Sequence, residues 1–134
     1  MSCDIKIISK YLHDATFINV IQTKSKIEIS IESVQLKSDW NKDNIELSNI
    51  KTIRGKLHVE EIKKIVINGK QVQILKKEYD SGEILDFEVL QNGFFMLVEW
   101  INYPPKIVNR TTDSIIIEAS KIYWENIPDL EVSF

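Results

Sequence analysis

Few side chains in this chain are of a kind and spacing that could do chemistry, and the first to test is the pair His13-Asp14. Adjacent His and Asp act as metal ligands in one class of helical phosphohydrolases, where further histidines and aspartates complete the site. Here His58 is the only other histidine, and no ligand spacing links it to the pair. The simpler reading has Asp14 turning the chain ahead of a strand while His13 hydrogen-bonds locally, so neither metal nor cofactor is expected. Cys3 is the sole cysteine. It cannot close an internal disulfide, agrees with a reducing compartment, and so near residue 1 lacks the rigid base and oxyanion donors of a catalytic thiol. The serines stand in no Gly-x-Ser-x-Gly context, and four glycines make no phosphate-cradling loop.

Carboxylates are more numerous. The pairs Asp80/Glu83 and Asp86/Glu88 could do acid and base work only if one member had a raised pKa in a cleft. Local alternation instead turns them outward, as an exposed acidic strand face and the candidate partner-binding residues. Glu99 interrupts an apolar segment, so it is expected to pair with a cation such as Arg54 or Arg110. No catalytic residue emerges, and the chain is not expected to be an enzyme.

The elements that must hold these residues are mostly strands. Isoleucine makes up about one residue in six, and alanine occurs only at positions 15 and 119, so β-branched side chains dominate and the best helix former is nearly absent. Ile27, Ile29 and Ile31 alternate with Glu28, Ser30 and Glu32 as in a half-buried strand. The segment 17–23 pairs with it through a turn at Lys24-Ser25; Val34 and Leu36 take the opposite parity, so either a bulge near Ser33 rotates the strand or its far end is covered on the other face. Asn68-Gly69 supplies the positive-φ positions of a type I′ turn and predicts a second hairpin, with an outgoing strand over 71–78.

From Glu83 another strand begins, with Leu85, Phe87 and Val89 expected inward and Asp86 and Glu88 outward. After Gln91-Asn92-Gly93, the segment 94–101 carries apolar residues at both parities. It reads as a central strand covered on both faces, with Phe95, Leu97 and Trp100 buried, and it ends before Pro104-Pro105. The last strands are expected at 114–119 and 122–124. One helix is expected at most, over 57–65, where Glu60 and Lys64 have the favourable four-residue spacing. Ile5 and Ile7 suit a strand or an irregular lead-in. The fold class is therefore mainly β: a single-domain antiparallel β-sandwich or partly open barrel, a meander of hairpins spanning residues 1–134.

Size and charge narrow the function. The chain has 134 residues with 28% charged and 43% hydrophobic, which suits one globular core. No apolar run approaches the roughly 18 residues of a membrane span, and no secretory signal opens the sequence, so a cytoplasmic location without a membrane partner is expected. The net charge of −3 gives no basic field for nucleic acid, and Trp40, Trp100 and Trp124 are expected in core or rim rather than as base-stacking platforms. The charge is unevenly spread. Residues 1–77 carry 14 basic and 9 acidic side chains, a balance of +5, and residues 78–134 carry 3 and 11, a balance of −8. Such an acidic half could present a negative face that steers basic partners.

The order Leu12-His13-Asp14-Ala15, then Asp80-Ser81-Gly82-Glu83-Ile84-Leu85, an aromatic strand ending Glu99-Trp100, and Ile122-Tyr123-Trp124 resembles a loose group of small bacterial β-rich proteins. Some of these are immunity proteins encoded beside polymorphic toxins. The resemblance implies a β-rich fold, no enzymatic activity and a protein partner, with a basic toxin domain as the form that suits an acidic face; it carries over no site residue. A small β-barrel that encloses a ligand or serves as a structural accessory is the alternative. Nothing in the sequence sets an oligomeric state.

Overall fold

Three hairpins read from turn chemistry organise the computed structural model, which describes residues 2–33, 45–106 and 110–131. Val34, Leu36 and Trp40 lie outside these described residues. The strands are β1 (Ser2–Asp4), β2 (Thr16–Gln22), β3 (Lys26–Ser33), β4 (Ile53–Ile67), β5 (Lys70–Val72), β6 (Ser81–Leu90), β7 (Gly93–Ile101) and β8 (Arg110–Asn126). A four-residue helix α1 (Ile5–Ile8) and a 3₁₀ turn (Ser9–Tyr11) separate β1 from β2. All strands belong to one sheet in the order β1-β8-β7-β6-β2-β3-β4-β5, every pair is antiparallel, and β8 also pairs with β4. That extra pairing closes strands 4, 8, 7, 6, 2 and 3 into a ring.

The ring is unevenly fastened, so it is a partly open barrel. β4 and β8 pair from Gly55↔Asn126 to Ile67↔Ile115, a ribbon along one whole side. At the opposite seam β2 and β6 pair only through Thr16↔Glu83 and Phe17↔Gly82, extended by the bonds Ile84 N to Ala15 O and Asp14 N to Ile84 O. Asp14 adopts φ 66°, so the chain does turn there ahead of β2.

Alternation places the core. Ile27, Ile29 and Ile31 of β3, Leu57 and Val59 of β4, Phe94, Met96 and Val98 of β7, and Ile115 and Ile117 of β8 are all fully buried inside the ring. Fully burying such a side chain contributes about 1.5–3 kcal/mol. Phe17 meets Trp100 edge to face at 5.0 Å, and Phe87 stacks on Phe94 at 5.3 Å. Gly82 makes room for Trp100, since a Cβ there would sit 2.6 Å from the indole.

The Asn68-Gly69 turn joins β4 and β5 as expected, with both residues at positive φ. Asn68 is also tied to β8, because its backbone N donates to Ser114 O and its side-chain oxygen accepts from Ser114 N.

Several local expectations are corrected. Residues 57–65 form no helix but the middle of β4, because β3 on one side and β8 on the other satisfy its backbone and the alternation outweighs the Glu60/Lys64 spacing. The outgoing strand after Gly69 is only Lys70–Val72, since residues 73–80 leave β4 and run past β2, where Gln22 accepts from Leu75 N and donates to Gln73 O. The two final strands are one, β8. In β6 the register shifts between Ile84 and Asp86, so Ile84 takes the core position and Leu85 is half-buried. Phe95 and Leu97 of β7 are half-buried on the outer face, whereas Trp100 is 2% exposed.

Candidate functional site

Cross-strand partners share a face, so register alone lays out the barrel's outer surface. One row runs from Glu88 on β6 through Phe95 and Ile116 to Val66 and ends at Gln71 on β5. The next joins Asp86, Leu97 and Ser114, and another joins Glu83, Glu99 and Thr112. Phe95, Leu97, Ile116 and Val66 are each half-buried, which makes an apolar strip across the outside of the sheet. A shallow hollow of about 220 Å³ lies at its end, lined by Leu90, Asn92, Gly93, Ile116 and Glu118 among others. Gly93 shapes this end, because any Cβ there would collide with the carbonyl oxygen of Ile117.

The acidic residues singled out from sequence rim this strip in different states. Asp86 and Glu88 are exposed on β6, as alternation required, and neither meets a cation among the described residues. Asp86 Oδ1 accepts from Phe87 N at 2.9 Å, covering an N–H on the side of β6 away from β7. Glu83 stands directly across from Glu99. Glu99 reaches Arg110 at 3.5 Å, so of the two partners considered Arg110 is the one found, while Arg54 lies 3.6 Å from Asp129. Asp80 is set apart from the others. It accepts from Lys106 Nζ at 2.6 Å and from Tyr103 N at 2.8 Å, and these bonds hold its carboxyl below the usual range. That residue ties the end of β7 to the start of β6.

A second cluster, on the outer face of β3, β4 and β8, was not visible in the sequence. His58 is 5% exposed although it points away from the core. Its ring stacks on Tyr123 with centroids 4.7 Å apart and 7° between planes. Nε2 lies 2.7 Å from Glu125, and Nδ1 lies 3.6 Å from Glu28 without a hydrogen bond among the described residues. The His58 hydrogen bond keeps the Glu125 carboxyl below its ordinary range, so this acceptor is ionised near neutrality and Nε2 carries the proton. Tyr123 donates its hydroxyl to Glu60 at 2.8 Å, which lowers the Glu60 pKa and raises that of the phenol. Lys26 lies 3.4 Å from Glu28 and 3.9 Å from Glu60, and Lys56 lies 3.8 Å from Glu28. Every charge here has an opposite neighbour. Catalytic acid–base exchange needs a free approach to the imidazole, and this ring is covered by Tyr123 with Nε2 already occupied.

No protein-family model, curated protein or solved structure matches this chain.

His13 and Asp14 are both exposed, 3.7 Å apart. Among the described residues no three His, Cys, Asp or Glu side chains converge as metal ligands, and no helix is long and apolar enough to cross a membrane. Cys3 pairs through its backbone with Trp124. The signal that could have found the His58 cluster was the period-two run Lys56, His58, Glu60, which becomes legible once residues 53–67 are taken as a strand.

Proposed function

We propose that this chain is a non-enzymatic bacterial cytoplasmic binding protein, an immunity protein that neutralises a cognate toxin by covering it. The outer face of β6, β7 and β8 is the contact. The observation that carries this reading is the strip of Phe95, Leu97 and Ile116 bordered by Asp86 and Glu88 without cations. Interfaces concentrate their energy in a few aromatic and aliphatic anchors, while rim charges steer encounter and select the partner's sign. A toxin with a positive active-site cleft, such as one that acts on nucleic acid, is the complementary surface. The ligand-enclosing barrel is less well supported, because the inward side chains of β7 are 0–2% exposed and fill the ring.

The test is capture from the native cell extract with three baits: wild type, Asp86→Lys/Glu88→Lys, and Lys56→Ala on the opposite cluster. A partner retained by wild type and Lys56→Ala, and lost or slowed by the charge-reversed bait with a difference that shrinks as salt rises, supports the assignment. Equal capture by all three at low salt refutes this face as the contact.

A further inference from the structure

A groove of about 670 Å³ lies between the β2–β3 turn and the β4–β5 hairpin. Its chemistry is opposite to that of the face just described. Lys24, Lys63 and Lys64 line it, and among the described residues no carboxylate does. Among the described residues none of these three ammonium groups has an ion pair or hydrogen bond, although Glu118 stands across from Lys64 in the β4–β8 register. Lys26 and Lys56, by contrast, reach Glu28, Lys77 reaches Asp80 O and Lys106 the Asp80 carboxylate, while Lys51, Lys70 and Lys76 share the lack of an acceptor among the described residues. Between the lysines the lining is aliphatic and amide, with Ile74 55% exposed at the margin.

Two further observations give the occupant its shape. Gln71 and Val72 of β5 border the groove, and among the described residues β5 is the last strand of the sheet, paired with β4 alone. Its other edge is a template for one more extended chain. The β4 bulge between Ile62 and Lys64, with Glu61 at φ 54°, breaks the regular pleat beside it and brings Lys63 as well as Lys64 to the groove. Among the described residues no aromatic ring lines the groove, so they offer no platform for bases and do not suit single-stranded nucleic acid.

We infer that this groove binds an extended acidic peptide segment of a partner protein, added as a strand along the free edge of β5 with its carboxylates on Lys24, Lys63 and Lys64. This site meets the end of the apolar strip at Gln71 but shares neither Asp86 nor Glu88 with it, and it does not depend on the toxin-neutralising reading; it would serve a second segment of the same partner or a different protein.

The test uses the full chain and a fluorescent ten-residue probe alternating Glu with Val, alongside the same sequence with Lys for Glu, an N-methylated Glu/Val version, and a ten-nucleotide thymidine oligomer. Binding of the Glu/Val probe alone is expected, weakening with salt. Lys24→Gln/Lys63→Gln/Lys64→Gln should weaken it by about tenfold, since exposed ion pairs each contribute modestly, while the melting temperature stays near that of the parent. N-methylation, which removes the probe's backbone donors, should abolish binding. Equal affinity for the Lys probe, an unchanged affinity in the triple variant, or full retention by the N-methylated probe overturns the inference. Lysine-dependent binding of the oligonucleotide, or self-association of the protein that the triple variant abolishes, overturns it in favour of a polyanion or a second copy.

Discussion

The His58 cluster and the β6–β7–β8 face lie on the same outer wall of the same ring, and both are rows of outward side chains fixed by strand register. They differ in what those side chains find. Around His58 each carboxylate has a donor: Glu125 has the imidazole, Glu60 the Tyr123 hydroxyl, and Glu28 two lysines. On the other face Asp86 and Glu88 flank half-buried Phe95 and Leu97 and meet no cation. A surface that satisfies itself has little left to offer a partner, whereas unpaired charge beside apolar area is what association can use. The split follows the sequence. Residues 1–77 hold most of the cations, so β3 and the Lys56–Glu60 part of β4 are self-neutralising while β6 and β7 run short of positive partners.

The largest effect separates inside from outside. Phe94→Ala should cost about 3–5 kcal/mol in a denaturant melt because that ring is fully buried, and Phe95→Ala markedly less. Equal losses would mean that the outer strip is part of the core and would end its candidacy as a docking face. Next comes Glu125→Ala, which leaves a buried His58 N–H without its acceptor and should cost about 1–3 kcal/mol. If that variant melts like the parent, the His58–Glu125 bond does not hold the cluster together.

A smaller effect is expected on the acidic face. Asp86→Lys/Glu88→Lys should shift stability by no more than about 0.5 kcal/mol, as exposed substitutions usually do. A loss several times larger would show that the Asp86 bond to Phe87 N matters more to the sheet edge than to any partner.

The gentlest test is pH. Glu60 and Glu125 have folded pKa values held below the ordinary carboxylate range, by the Tyr123 hydroxyl and by His58 respectively. Their contribution is complete above the unfolded value of about 4.3 and is lost as pH falls through the depressed folded values. Glu60→Gln/Glu125→Gln should flatten that acid limb in thermal melts, and an unchanged limb would contradict the pairing.

How much of this was legible depended on range. Asn68-Gly69 and the Ile27, Ile29, Ile31 alternation are local signals, and both hairpins stand where they pointed. The Glu60/Lys64 spacing was also local but misleading, because two neighbouring strands fix the backbone of β4 whatever its helical pairs favour. Leu85 was misplaced because a bulge reverses parity without a sequence marker of its own. Asp86 and Glu88 were placed correctly beyond it, yet the apolar strip beside them requires the β7–β8 register. The contact between His58 and Glu125 joins residues 67 apart and has no short-range trace.

The seventeen-residue strand β8 sets an order of events during synthesis. It is the last of the described strands to leave the ribosome, yet it is a neighbour of both β7 and β4 and, among the described residues, the sole partner of β1. Until residues 110–126 emerge, strands 2 to 7 have no closed ring to form, and the inward side chains of β3, β4 and β7 remain on an uncovered sheet. Closure then joins distant parts of the chain, as in Gly55↔Asn126. Such late, non-local pairing is slow, and it leaves two unpaired edges open to the wrong strand while the chain waits. Before β8 emerges, the unclosed sheet is thus the species most exposed to wrong pairing and aggregation.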